Sequence, residues 1–367
     1  MSTKKIIHLV MAARPNIMKI APLYHALLAQ EWADPKIVHT GQHYDDKMSG
    51  VLLRDFGLPE PHHQLHIGSG THAEQTGKTM MAYEALCLRE RPDLCVVAGD
   101  VNATIACAMS AKKLDIPVAH LEAGLRSFDR TMPEEINRLA TDAICDFHWT
   151  PSRDATAQLI KEGADTAKIA EVGNIMIDAL CMMQDRIETD DTARRMNLSG
   201  DYAVVTIHRA ANVDHADAIA KVAAFIEQAA QILPIVFPVH PRTRSKFAPD
   251  ILQRLNANAD IHLCEPLSYI AFMNVLSGAR MALTDSGGLQ EETTYLGIPC
   301  ITLRTTTERP ITVTECTNVL AGFDTVIATM RATLDKPRPA RPSIKGWDGK
   351  TAPRIVAAIS QILNSNP

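Results

Sequence analysis

Arg14 and Lys19 follow the first apolar run of the chain, KIIHLVMA, with Lys19 about one helical turn beyond Arg14. Two cations at a strand–helix junction can hold a diphosphate, and Pro15 between them suits the first turn of a helix. A second phosphate signal stands in LTDSGGLQEE, residues 283–292. An apolar run ends there at Asp285, and Ser286-Gly287-Gly288 turns into a helix. The two glycines let the backbone approach a ligand closely. The helix start then offers N–H groups and the positive end of its dipole to an anion. Glu292 falls in the first helical turns, where a carboxylate could accept hydrogen bonds from ribose hydroxyls or simply complement the dipole.

Carboxylates follow other apolar runs. Asp100 comes directly after VVAG and could be a helix N-cap or a functional acid. Glu122 and Arg126 follow PVAHL, and a Glu leaving a buried strand is costly unless paired or functional. Glu134 and Arg138 lie four apart behind Pro133, which alone would make an ordinary surface ion pair. His208 and Arg209 follow YAVVT; Glu308 and Arg309 follow PCITLR. Taken together, these groups predict a cleft with carboxylates on one wall and phosphate-gripping groups on the other. Such a cleft suits proton transfer on a phosphorylated, hydroxylated substrate.

Elements of regular period must position these residues. Short apolar runs such as DLCVVAG, LPIVFPVH and IPCITLR alternate with amphipathic stretches throughout. Strand–helix alternation predicts parallel sheets covered on both faces, hence doubly wound α/β domains. Helices are expected over residues 15–30, 103–114, 133–145, 175–195 and about 350–364. The alternation restarts near Tyr202, and the boundary falls near 171–173. Two Rossmann-like domains are therefore expected, residues 1–171 and 172–349, followed by a final helix within 350–367. Ligands of such sheets bind beyond the carboxyl ends of the strands, where the candidates above all fall.

The chain has 367 residues, 46% hydrophobic and 22% charged, with net charge −5. That balance gives no support for a nucleic-acid or membrane partner. Eight cysteines form no CxxC pair and sit mostly in apolar runs, as buried thiols of a reducing cytosol do. No run of about 18 apolar residues occurs, so a cytoplasmic protein is expected. There is no GxGxxG after a strand and no P-loop, so no dinucleotide cofactor is expected. No HExxH or paired Cys/His spacing suggests a metal, and Pro61-His62-His63 reads as a loop.

The ordered motifs RPNIMKIAPL, HTGQHYD, GDVNAT, HLEAGLRS, MPEEINR, VGNIMIDAL, HRAAN, PVHPR, EPLSY, TDSGGLQEE and TTTERP run over nearly the whole chain. In this the sequence resembles the non-hydrolysing UDP-N-acetylglucosamine 2-epimerases. The resemblance implies two Rossmann-like domains in the GT-B arrangement, the C-terminal helix packing back on the first. It implies a homodimer that needs no metal or nicotinamide and serves surface polysaccharide synthesis. It also implies inversion at C2 by loss and re-addition of UDP through a 2-acetamidoglucal. By resemblance, Asp100, Glu122 and Glu134 are the acid/base carboxylates, and Arg138 and His208 complete the catalytic set. Arg14, Lys19, Ser286, Gly287, Gly288 and Arg309 would hold the diphosphate, Glu292 the ribose, and Phe272 would lie near the uracil. Gln42 and His240 match parts of a regulatory UDP-GlcNAc site known in some bacterial members. The chain departs from the family at Ala12, where a turn glycine is usual, and at Asn16 and Ala211, where glutamates are usual. A C2 epimerase of a modified UDP-hexosamine, such as a 2,3-diacetamido uronic acid, is the nearest alternative, and a glycosyltransferase of the same fold is more distant.

Overall fold

A computed structural model of the chain describes residues 4–41 and 46–365. Thirteen strands are assigned among them. They are β1 Lys5–Met11, β2 Ala33–His39, β3 His63–Gln64, β4 Leu94–Ala98, β5 Val118–Leu121, β6 Phe147–Thr150 and β7 Ile169–Glu171, then β8 Ala203–Thr206, β9 Ile235–Pro238, β10 Ile261–Cys264, β11 Met281–Thr284, β12 Cys300–Thr302 and β13 Asn318–Leu320. The first seven form one sheet in the order β3-β2-β1-β4-β5-β6-β7, and the last six a second in the order β10-β9-β8-β11-β12-β13. Every pairing is parallel. Parallel strands with helices on both faces read as near-continuous apolar runs, and β4 and β11 are buried at every residue.

Each sheet reverses its winding once, between β1 and β4 in the first and between β8 and β11 in the second. At such a switch point the flanking loops diverge and leave a crevice beyond the strand ends. The crevice of the first sheet is flanked by the residues after Met11 and Ala98. That of the second is flanked by those after Thr206 and Thr284.

The chain divides into two compact units, Met1–Met182 with Ile344–Pro367, and Met183–Ser343. The division falls inside the helix Ile175–Thr189 rather than ahead of it. Its first half buries Ile175, Ile177 and Ala179. Its end is held by Asn274, whose Nδ2 donates to Ile187 O (3.0 Å) and Asp190 O (2.8 Å). The single helix expected over 175–195 is two, Ile175–Thr189 and Thr192–Arg195. The break comes at Asp190, whose carboxylate accepts from Thr192 N at 2.8 Å and starts the second helix.

The last helix, Thr351–Ser365, belongs to the first unit. Buried Asp178 caps it, accepting from Thr351 N (3.0 Å) and Ala352 N (2.8 Å). Trp347 Nε1 donates to Pro151 O at 3.0 Å, and Ile355 and Ile359 are fully buried. Among the described residues, no helix is long and apolar enough to cross a membrane.

Candidate active site

In the first unit, the helix Arg14–Leu28 starts three residues beyond the end of β1. Asn16 fastens that start. Its Oδ1 accepts from Ala13 N (3.1 Å) and Ala12 N (3.3 Å), and its Nδ2 donates to Ala98 O (3.0 Å) at the end of β4. The departure at Asn16 therefore ties together the two strands of the switch point. One turn on, Lys19 is buried, and its ammonium meets Glu122 Oε2. Arg14, half-buried, begins the helix.

Glu122 follows β5 directly and has φ +73°. A side-chain-bearing residue in that left-handed region costs about 1–2 kcal/mol. Its N–H is fixed to Trp149 O at 3.1 Å. Glu122 Oε1 is buried and has no hydrogen-bond partner among the described residues. Backbone strain and an unpartnered buried carboxylate oxygen thus meet in one residue. Gly99 makes the arrangement fit: a Cβ there would stand 2.7 Å from Lys19 Nζ, and its φ is +70°.

Asp100 is half-exposed and is paired with Arg138. The pair predicted between Glu134 and Arg138 is not the one that forms. Glu134 is exposed in the first turn of the helix Pro133–Ile144, while the next residue, Glu135, is buried and takes Arg138 through Oε2 at 2.6 and 2.9 Å. A helix brings i+3 onto the same face as readily as i+4, and here burial selects the former. Glu135 also accepts from Ser127 N and Phe128 N, both at 2.9 Å. Burial raises its pKa, but these N–H groups and the guanidinium outweigh that and leave it below the usual carboxylate range. Glu135 thus fixes Arg138 and the 127–128 loop at once. Arg126 is turned away, into a buried pair with Asp142 at 2.7 Å and a part-buried one with Glu162 at 2.6 Å.

In the second unit, His208 lies two residues past β8 and is half-exposed. Its Nδ1 is 3.1 Å from Oδ1 of Asp285, which is fully buried at the end of β11. Asp285 also accepts from His208 N, Arg209 N and Asn212 Nδ2 at 2.8–3.1 Å. Burial raises its pKa; the imidazole and these donors outweigh it, and the net shift is downward. Asp285 was legible in the sequence only as the last residue of an apolar run. His240, exposed, stacks near His208 with centroids 5.5 Å apart. Gln42 lies outside the described residues.

Ser286 is the N-cap of the helix Gly287–Leu296, and its hydroxyl makes no cap hydrogen bond. The N–H groups of a first turn are left over by the helix's own ladder, so this end is set up for an anion. Arg309 reaches it: a Cβ on Gly287 would lie 2.7 Å from Arg309 Nη1. Arg309 is buried between Glu308 (2.6 Å) and Glu291 (2.9 Å). Burial would raise Glu308, but Arg309 and Arg304 hold it far below the usual carboxylate range. Buried Gln290 anchors the loop that carries Arg309. Its Oε1 accepts from Thr307 Oγ1 (2.7 Å) and Asn318 Nδ2 (3.0 Å), and Thr307 Oγ1 accepts from Arg309 N. Gly288, half-buried, follows in the first turn.

Glu292 is buried, and burial pushes its pKa up to about 7, although Tyr269 Oη donates to it at 3.0 Å. Phe272 is half-buried on the same helix as that tyrosine, Tyr269–Ser277.

The chain thus has two Rossmann-like parallel-sheet domains, one with a buried lysine–glutamate pair at its switch point and the other with an uncapped helix N-terminus at its own. It belongs to the UDP-N-acetylglucosamine 2-epimerase family, whose profile matches residues 25–360, and is an epimerase, an isomerase. It is 39% identical to the UDP-N-acetylglucosamine 2-epimerase of Methanocaldococcus jannaschii, over 96% of this chain and 98% of that one. It is 37% identical to the UDP-2,3-diacetamido-2,3-dideoxy-D-glucuronate 2-epimerase of Pseudomonas aeruginosa, over 89% and 92%. A crystal structure of the Methanocaldococcus jannaschii UDP-GlcNAc 2-epimerase in complex with UDP-GlcNAc and UDP superposes with a TM-score of 0.90 at 38% identity, covering 97% and 99% of the two chains.

Proposed function

We propose that the chain converts UDP-N-acetylglucosamine and UDP-N-acetylmannosamine into one another through a 2-acetamidoglucal. The observation that carries this reading is Glu122: strained, buried, ion-paired on one oxygen and unpartnered on the other. A carboxylate so prepared is suited to exchanging a proton with carbon. Membership of the epimerase family supplies the reaction class.

In the forward step a carboxylate removes the C2 proton, the C2–H electron pair becomes the C1=C2 bond, and the C1–O pair leaves with UDP. The C2 hydrogen is not acidic, so departure of the diphosphate must be far advanced as the proton leaves. Groups that stabilise the leaving diphosphate therefore lower the barrier. Arg14, Ser286, Gly287, Gly288 and Arg309 are assigned that role. Glu292 is assigned to the ribose and Phe272 to the uracil. Return of UDP to C1 with a proton delivered to the opposite face of C2 completes inversion. Two faces need two proton-handling groups, drawn from Asp100, Glu122 and Glu134. Lys19, expected at the diphosphate, holds the Glu122 carboxylate in this structure. Arg138 positions Asp100, and Asp285 positions His208.

The similar level of identity to the Pseudomonas aeruginosa enzyme favours one second reading, a UDP-2,3-diacetamido uronic acid as substrate. Assay of both sugars without any acceptor separates the two. Formation of the C2 epimer of UDP-GlcNAc supports the first, and turnover of the uronate alone supports the second. A homodimer and a cytoplasmic location complete the proposal. Exposed Met81 and Leu88, seven apart on the helix His72–Arg89, offer apolar surface for a dimer, and the eight cysteines are free thiols. A sedimentation mass equal to one chain would contradict the dimer.

A further inference from the structure

Three ligand-type side chains from distant parts of the sequence converge in the first unit, away from the strand ends that carry Lys19 and Glu122. His8 is fully buried in the middle of β1, opposite Cys95 at the start of β4. His63, expected in a loop, instead opens β3. Glu90 follows the C-terminus of the helix His72–Arg89. Glu90 Oε1 is 2.8 Å from His63 Nε2 and 3.4 Å from His8 Nε2. The ligand atoms of all three lie within 4.8 Å of one another. In a tetrahedral zinc site, with bonds of about 2.0–2.1 Å, neighbouring donor atoms are roughly 3.3 Å apart. The separations from Glu90 to both rings already straddle that value.

The surroundings of His8 fit the same use. Its other ring nitrogen, Nδ1, is 3.2 Å from the hydroxyl of Tyr83, which is fully buried. An N–H at Nδ1 donated to that oxygen leaves the Nε2 lone pair facing Glu90 and His63. Metal-bound imidazoles ordinarily have such an outer contact, which sets their tautomer and orientation. His63 and Glu90 are partly exposed, with side chains 24% and 33% accessible, which gives an ion an entry path and a water for a fourth position.

We propose that His8 Nε2, His63 Nε2 and the Glu90 carboxylate bind a single divalent transition ion of the zinc type, separate from the residues assigned to epimerisation. Two imidazoles and one carboxylate suit zinc, and also nickel or copper, better than magnesium or calcium. The bound ion would pin β3, only two residues long and paired among the described residues to β2 alone, to β1 and to the end of the helix. An ion that binds only the folded chain stabilises it by mass action.

The test is calorimetric titration of the untagged, chelator-stripped full chain with zinc, with cobalt as a spectroscopic probe. The proposal predicts one saturable site per chain, the visible absorption of four-coordinate cobalt, and a rise in Tm. His63→Ala and Glu90→Gln, both at partly exposed positions, should lose the site while keeping the circular dichroism of the parent. Tyr83→Phe should weaken binding about 10–100-fold. Unchanged affinity and stoichiometry in His63→Ala, or no saturable binding by the parent chain, would overturn it and leave a hydrogen-bonded trio.

Discussion

Lys19, buried in the first helix, places its ammonium on one oxygen of Glu122, itself buried in the left-handed region after β5. The two residues are far apart in sequence, and the parallel order β1-β4-β5 brings them to one crevice. Removing one partner of a buried pair leaves an uncompensated charge. Lys19→Met is therefore expected to destabilise the chain by about 3–5 kcal/mol. The double variant Lys19→Met/Glu122→Gln should recover much of that loss but no activity. Equal stability of the single and double variants in urea unfolding would contradict the pairing.

Glu122→Gln alone should lower kcat by about 10²–10⁴-fold, the usual range for loss of an acid/base group. UDP affinity should stay near that of the parent, since Glu122 is assigned to the sugar carbon and not to the nucleotide. Steady-state kinetics with UDP titration checks both halves. Full activity in this variant would remove Glu122 from the proton-handling set.

Asp285 touches His208 through both the backbone N–H and the ring. Asp285→Asn keeps the shape but weakens the hold on the ring, and kcat should fall by at least about 10²-fold with KM changed much less. A parallel loss of KM and Tm with kcat intact would assign Asp285 to folding alone.

Glu292 gives a pH signature. Its carboxyl is held neutral by burial up to about pH 7. Ribose hydroxyls that donate to it favour the ionised form, so UDP affinity should rise with pH between about 6 and 8, and binding near pH 7 should release protons. For the free chain the sign is opposite. A folded-state pKa raised above the unfolded one contributes stability at low pH that is lost as pH rises through about 7. Calorimetry in buffers of different ionisation enthalpy measures the released protons. PH-independent UDP binding would contradict the ribose role.

Much of this site was legible in the sequence because strand–helix alternation forces the residues after each apolar run to one edge of a sheet. Arg14, Asp100, Glu122, His208, Ser286 and Arg309 became candidates that way. What pairs with what was not legible. Glu134 and Glu135 are equally good partners for Arg138 by helical spacing, and only burial against the Ser127 loop decides for Glu135. Nothing local to Lys19 indicates that β5 delivers Glu122 to it. Asp285 was hidden as the end of a strand, although its buried carboxylate organises the whole His208 turn. The His8, His63 and Glu90 cluster left no mark in linear spacing, since each ligand comes from a different element. The break at Asp190 was obscured by good helix formers on both sides.

The central claim is proton exchange at C2 without an acceptor. It is tested most directly by incubating the chain with UDP-N-acetylglucosamine in heavy water and following C2 by NMR and mass. The account predicts UDP-N-acetylmannosamine carrying one deuterium at C2, and label entering the C2 position of recovered substrate. Epimer formed with its C2 hydrogen retained, or no epimer and no label, would contradict it.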